Sequence, residues 1–455
     1  MSKLFEEFEG VSAKAWKQKI QMDLKGADYN QTLVWHSPEG IDVKPFYHRD
    51  DFKKEFSPIP GHPDDWKIVQ QIFVDDAAIA NKLALNSLER GAEAIFFSAN
   101  KGFDIRTLFE NFDFGKCQLY FNLEFLEEDF IRSLVLFLKE NNAEAFYNID
   151  LVGHLAGSGN WFENLQADHK VLENLTASFP SENILGVNTC LYQEAGANIV
   201  QQLAYALGHA NEYLNHFQQN KTLRINFRLA IGNNYFFEIA KIRALRKLYA
   251  IVAQEYGMPV ECNVQAIPSR RNKSIYDYNV NMLRTTTECM SAILGGANAI
   301  SNLPYDSLYH KSNEFGERIS RNQLLILKSE SYFDTVSNPA DGTYYIESLT
   351  DRLAEAALKL FKEIEASGGF LKSLKEGTIQ KKIKESAEKE QLAFDKGEIT
   401  LLGTNKHPNP DDRMSDQLEL YPFVKRNPRK TLIEPVIPRR LAESLEKERI
   451  TSEEK

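Results

Sequence analysis

The 455-residue chain has only four cysteines, Cys117, Cys190, Cys262 and Cys289, with no CxxC pair and no histidine at ligand spacing from them. Neither a disulfide framework nor a structural zinc site can organise such a chain, so reduced core thiols in a cytoplasmic setting are expected. No apolar run reaches the roughly eighteen residues of a membrane span, so no membrane role is expected. Basic residues are also scarce, 54 Lys+Arg against 64 Asp+Glu for a net charge of −10, and they are not clustered. Nucleic acid is therefore not expected as a partner, because phosphate binding needs a basic face. The opening MSKLFEEFEG has neither the apolar core of a secretory signal nor the arginines of a transit peptide.

What is present is globular in character: 43% hydrophobic and 26% charged residues. The length accommodates about three domains of roughly 150 residues, or one α/β barrel of about 250 residues with appendages. Residues 1–60 read as an arm, with an amphipathic helix over 13–24 stopped at Gly26 and an extended stretch after it. This segment is too thin for a core of its own. Its Trp16, Leu24, Val34, Trp35 and Phe46 must pack either on the main domain or on a partner.

Over 61–335, short apolar runs alternate with longer amphipathic ones, the βα pattern. Strands are expected at 92–98, 117–123, 145–151, 184–190, 223–231, 259–265 and 298–304, with an eighth near 66–73. Helices are expected at 75–90, 126–140, 193–217, 235–256, 278–294 and 316–331. An open doubly wound sheet also alternates this way, but no glycine-rich phosphate turn follows the first strand, which favours a TIM (β/α)8 barrel. Residues 336–400 read as a helical extension, with helices at 344–366 and 371–398. Residues 401–455 read as a Pro-rich, charged tail or linker.

Barrel chemistry belongs at the carboxyl ends of the strands, and polar catalytic groups are few there. Glu194 reads as opening a helix, where a carboxylate complements the helix dipole. Arg228, inside a strand among apolar neighbours, needs a partner or a ligand. His154, His209 and His310 have no companion at triad spacing and read as surface or capped histidines. Gly295 and Gly296 permit a close turn of helix onto strand, and Pro339, Asp341 and Gly342 specify a tight turn.

Longer strings carry more information. LKGADYNQTLVWHSPEGIDVKPFY, QEAGANIVQQLAYAL, YDYNVNMLRTTTECMSAILGGANAISNLPYD and RISRNQLLILKSESYFDTVSNPADGTYYIESLTDRLAEAA closely resemble the methylmalonyl-CoA mutase family over almost the whole chain. The resemblance implies an α/β fold in which a TIM barrel takes a CoA ester along its axis. It also implies adenosylcobalamin, carried on a flavodoxin-like domain with an Asp-x-His-x-x-Gly motif. That motif is absent from this sequence, so the barrel is expected to lack the cobalamin-binding domain.

The barrel departs from the family's catalytic strings as well. Where catalytic members read Gly-Tyr-His-x-Gln-Glu-Ala-Gly-Ala, this chain has TCLYQEAGA, with Cys190 at the Tyr and Leu191 at the carbonyl-contacting His. The family's Trp-Thr-Ile-Arg-Gln-Tyr is WKIVQQ, with Val69 at the Arg and Gln71 at the wedging Tyr. The His-Cys-Gln-Thr-Ser-Gly string falls near VQAIPSRR, with Gln265 at the His and Arg270 at the Gly. The Gln-Ser-Leu-His-Thr-Asn string becomes NAISNL, with Asn298, Ala299 and Ser301 at the Gln, Ser and His. Glu194 stands at a cobalamin-contacting position and Arg228 at a CoA-contacting one.

The resemblance thus implies a small, non-catalytic subunit of a heterodimer. In that assembly a large subunit would hold adenosylcobalamin and CoA esters, and the arm at 1–60 would wrap that partner. Two other readings stay open: a catalytic acyl-CoA mutase barrel whose cobalamin domain is a separate chain, and a homo-oligomeric CoA-binding or regulatory protein.

Overall fold

A computed structural model describes residues 7–52, 55–425 and 428–453; the first six residues of the expected arm and the last two of the charged tail lie outside the described residues. Eight parallel strands close into a barrel: β1 (Lys67–Phe73), β2 (Ala94–Ala99), β3 (Gln118–Leu123), β4 (Glu144–Ile149), β5 (Asn183–Asn188), β6 (Ile225–Ile231), β7 (Asn263–Pro268) and β8 (Ala299–Ser301), the last pairing with β1. Their outward faces bury Ile95, Phe97, Leu119, Phe121, Leu185 and Phe227 completely, against a surrounding layer of helices. Each such large apolar side chain stabilises the fold by about 1.5–3 kcal/mol on transfer from water.

The helices include α1 (Ala13–Asp23) in the arm and, around and beyond the barrel, α2 (Ala77–Glu89), α3 (Glu128–Glu140), α4 (Leu151–Ser158), α5 (Leu165–Ser178), α6 (Cys190–Glu194), α7 (Ile199–His216), α8 (Tyr235–Glu255), α9 (Val280–Gly295), α10 (Glu314–Leu325), α11 (Tyr344–Ala366), α12 (Phe370–Lys375), α13 (Thr378–Asp395) and α14 (Glu443–Glu453). The starts follow from local chemistry. Asp76 and Asp150 cap α2 and α4, and Asn198 with Gln201 forms a capping box on α7. At the end of α9, Gly296 adopts φ +87°, and a Cβ there would lie 2.4 Å from the His62 ring. Only glycine allows that turn onto β8.

Several expectations need correction, and the single helix expected over 371–398 is two, α12 and α13, parted at Gly377 with φ +79°. Glu194 does not open a long helix: it ends the short α6, and α7 starts only at Ile199 behind its own cap. The seventh strand begins at Asn263 rather than 259. The residues from 405 on do not trail away. Met414, Ile433, Val436 and Leu441 are buried and α14 closes the chain, because Arg440 pairs with Glu446 at 2.7 Å while Glu446 accepts from the Ile275 amide.

The described part of the first sixty residues divides in two. Trp35 stacks edge-on against Phe237, and Tyr47 and Phe52 pack on Tyr345 and Tyr344, so residues 35–52 lie on this chain's own helices. Helix α1 buries no residue, and its Trp16 touches Phe46 and stays half exposed.

Candidate functional site

Pleat alternation and parallel pairing place one row of polar residues across the inside of the barrel. Asn188 of β5 is in register with Arg228 of β6, and Arg228 with Gln265 of β7. On one side of this row Val69, Ala94, Phe96, Tyr120, Phe146 and Ala299 form a closed interior cluster, with Tyr120 and Phe146 stacked at 4.7 Å. At the carboxyl end Cys190, Ala230, Ile267 and Leu303 make a small apolar layer. The Arg228 guanidinium lies 4.3 Å above the Phe96 ring centroid. Arg228 Nε, Asn226 Oδ1 and both amide atoms of Gln265 are buried without a hydrogen-bond partner among the described residues. Such groups are costly to bury alone, so water or a polar ligand has to meet them.

A cavity of about 490 Å³ opens at the carboxyl mouth beside this row, walled by Phe96, Asn148, Asn188, Asn226, Arg228 and the first turns of α4. A second, of about 470 Å³, opens at the amino end around Arg224, Glu261 and Asn263. Asn226 borders both, and Phe96 and Phe146, members of the closed interior cluster, border one each. The floor of the upper cavity depends on a bulge in β4, where Asn148 adopts φ +50° and the pairing with β5 shifts register. Asn148 donates to Phe121 O at 2.9 Å and accepts from Asn226. Gly186 permits this: a Cβ there would sit 2.7 Å from Asn148 Cα.

The wall beyond β4 is fixed by Asp150. Its Oδ1 accepts from Tyr213 Oη at 2.9 Å and from Gly153 N at 2.8 Å, and lies 2.7 Å from His209 Nε2. Its Oδ2 accepts from Asn188 N at 2.9 Å. Burial alone would raise this carboxyl, but the charge and hydrogen bond of His209 with the backbone donors outweigh it and hold it below the usual range. His209 Nδ1 meets Tyr192 Oη at 3.1 Å, and both side chains are fully buried. His209 is therefore neither a surface nor a capped histidine, and its carboxylate partner is 59 residues away. The Asp150–His209–Tyr192 chain has the order of a relay, but the Tyr192 hydroxyl is sealed from any substrate, so it works as scaffold.

His154 lines the upper cavity, stacked 3.6 Å from Phe162, and burial lowers its pKa. His310 sits 3.2 Å from Asp306.

The residues singled out in the sequence fall at separate depths. Gln71, half-buried, and Ser301, fully buried, sit on β1 and β8, and Gln265 lies in the polar row. Cys190 joins the apolar layer, where burial pushes its thiol up to about 12. Leu191 packs into the core between barrel and helices, beside Gly157. Glu194 is at the rim, where its carboxylate accepts from Arg270 N at 3.4 Å and its carbonyl from Arg439 N at 3.0 Å. Of all the residues singled out, Arg228 and His154 line the upper cavity. The contributions of Asp150, His209, Asn188 and Asn226 were not anticipated; the polar residues at alternate positions 226 and 228 of β6 were the available signal.

The C-terminal segment crosses this same face. Val436 N donates to Ala156 O at 2.8 Å, Arg439 N to Glu194 O and Leu441 N to Arg271 O, both at 3.0 Å, tying together the loops after β4, β5 and β7. Among the described residues no group of His, Cys, Asp or Glu is placed to hold a metal ion, and no helix is long and apolar enough to cross a membrane.

Fold and site together define a (β/α)8 barrel with a polar interior and a ligand-sized cavity at the carboxyl ends of its strands. The family model for methylmalonyl-CoA mutase matches residues 141–445. The methylmalonyl-CoA mutase small subunit of Porphyromonas gingivalis is 34% identical over 92% of this chain and 73% of its own length. The small subunit of Streptomyces virginiae is 29% identical over 82% of this chain and 65% of its own length, and the methylmalonyl-CoA mutase of Rhizobium meliloti 26% over 90% and 65%. The chain thus spans about two thirds to three quarters of these relatives. It belongs to the methylmalonyl-CoA mutase family, whose members are isomerases that depend on adenosylcobalamin.

Proposed function

We propose that this chain is a non-catalytic small subunit of an adenosylcobalamin-dependent methylmalonyl-CoA mutase, supporting a large subunit that holds the cofactor and isomerises methylmalonyl-CoA to succinyl-CoA. One observation carries the reading: the interior layer at the carboxyl mouth is Cys190, Ala230, Ile267 and Leu303, with no acid, base or hydrogen-bond donor on these side chains beyond a thiol raised to about 12. That layer offers a radical rearrangement no polar contact to a thioester. The positions of Gln71, Cys190, Leu191, Gln265 and Ser301 are then degenerate, and Glu194 and Arg228 are vestiges of cofactor and substrate contacts.

The residues at this mouth do not fit adenosylcobalamin. The Glu194 carbonyl is already bonded to Arg439, and the segment 436–441 lies along the loops that would face the cofactor. On this reading residues 1–60 are an arm reaching a partner through α1, 61–335 the barrel, 336–400 its helical extension and 401–455 a tail bound to the same chain. The small-subunit relatives support a heterodimer. Absorbance titration of the isolated chain with adenosylcobalamin tests the proposal. No binding up to tens of micromolar is expected, and sub-micromolar binding would contradict it.

A further inference from the structure

We propose that the cavity at the carboxyl mouth is a binding site for a small free carboxylate anion, anchored by Arg228. This goes beyond the subunit reading and does not rest on it. Among the described residues Arg228 has no carboxylate within ion-pair distance and its guanidinium makes no hydrogen bond, its Nε being buried without a partner. Phe96 covers one face of the guanidinium at 4.3 Å, which leaves the edge of the fork, with its parallel N–H donors, toward the cavity. A planar carboxylate matches that edge with two bonds.

The surroundings favour an anion. Asp150, the nearby buried acid, has both oxygens occupied by His209, Tyr213 and the amides of Gly153 and Asn188, and Glu124 is exposed at the rim. Asn188, in register with Arg228, uses its Oδ1 to accept from Cys190 N at 3.2 Å, and its amide N–H groups have no acceptor among the described residues. Beside it the buried Asn226 Oδ1 has no donor among the described residues, so a hydroxyl or amide on the ligand would complete the site.

The occupant is a free acid and not a thioester. Below Arg228 the interior is filled by Phe96, Tyr120 and Phe146, all at most 5% exposed, so a long nucleotide-bearing tail has no path along the axis from this cavity. A cavity of about 490 Å³ takes a short-chain mono- or dicarboxylic acid with its first waters.

Calorimetric titration of the full chain with acetate, succinate and glutarate, alongside inorganic phosphate and succinyl-CoA, tests this. At least one free acid should bind, and Arg228→Gln should weaken it about tenfold or more, the worth of a charge-assisted hydrogen bond. Asn188→Ala, which removes a side chain from the cavity wall and leaves Arg228 in place, should weaken it several-fold and carries the test if Arg228→Gln does not fold. Four results would overturn the proposal: no free acid binding at millimolar concentration, unchanged binding in both variants, phosphate binding as tightly as the best carboxylate, or binding of succinyl-CoA without binding of any free acid.

Discussion

His209 Nε2 lies 2.7 Å from Asp150 Oδ1 inside the helical layer, with the histidine fully buried and the aspartate nearly so. Through this contact α7 is pinned to the end of β4, and the wall of the upper cavity is held at the same point. Removing the carboxylate leaves His209, Tyr213 and two backbone amides without their acceptor. Asp150→Ala is predicted to cost about 3 kcal/mol or more in urea denaturation, and a loss below about 1 kcal/mol would mean that the contact is dispensable.

The same pair sets an acid limit. The folded-state pKa of Asp150 is held below its unfolded value of about 3.9, so its contribution is fully present above that pH. It is lost as pH falls toward the folded-state value. The stability difference between wild type and Asp150→Ala should stay constant from pH 7 to about 5 and narrow below about 4. A gap that widens on acidification would reverse the assigned sign.

All four cysteines are buried, and burial raises Cys117 and Cys262 to about 11 and Cys190 to about 12. Since the thiolate is the reactive form, a disulfide exchange reagent at pH 8 should find no rapidly reacting thiol in the native chain and four after denaturation. A fast native thiol would place one of these cysteines at the surface.

How the chain's last segment behaves follows from Arg440 and Glu446, 2.7 Å apart and each about 5% exposed or less. Glu446→Ala strands a buried guanidinium and is predicted to cost about 3 kcal/mol, whereas an Arg440→Met, Glu446→Leu double variant should recover most of the loss. Equal losses in both variants would show that packing and not charge holds the segment.

Much of this architecture is legible in the sequence. All eight strands and the helix from 344 to 366 are signalled by continuous apolar runs or by helical periodicity. Other parts are not. IDLVGHLAGSG carries the end of the strand expected at 145–151 and no helix signal after it, because Gly153 and Gly157 dilute the helical pattern, yet Asp150 caps a helix there. The seventh strand shifts because PVEC carries strand propensity while only residues 263–268 pair with β6. The Asp150–His209 contact spans 59 residues and no local spacing reveals it. Prolines between 405 and 440 suggest a linker, and the burial of Ile433, Val436 and Leu441 depends on tertiary contacts to α4 and the loops after β5 and β7.

Helix α1 buries nothing of its own, and exposes Trp16 and Met22. Deleting residues 1–24 should change the stability of the isolated chain by less than about 1 kcal/mol, and should weaken association with a mutase large subunit about tenfold if these are interface anchors. Unchanged affinity would remove the arm from the interface.

The central claim, that this barrel supports catalysis elsewhere, is tested most directly by adenosylcobalamin-dependent conversion of methylmalonyl-CoA to succinyl-CoA, by the chain alone and then with the large subunit added. No turnover is expected from the chain alone and turnover is expected with the partner; turnover by the chain alone would mean that this barrel does the chemistry itself.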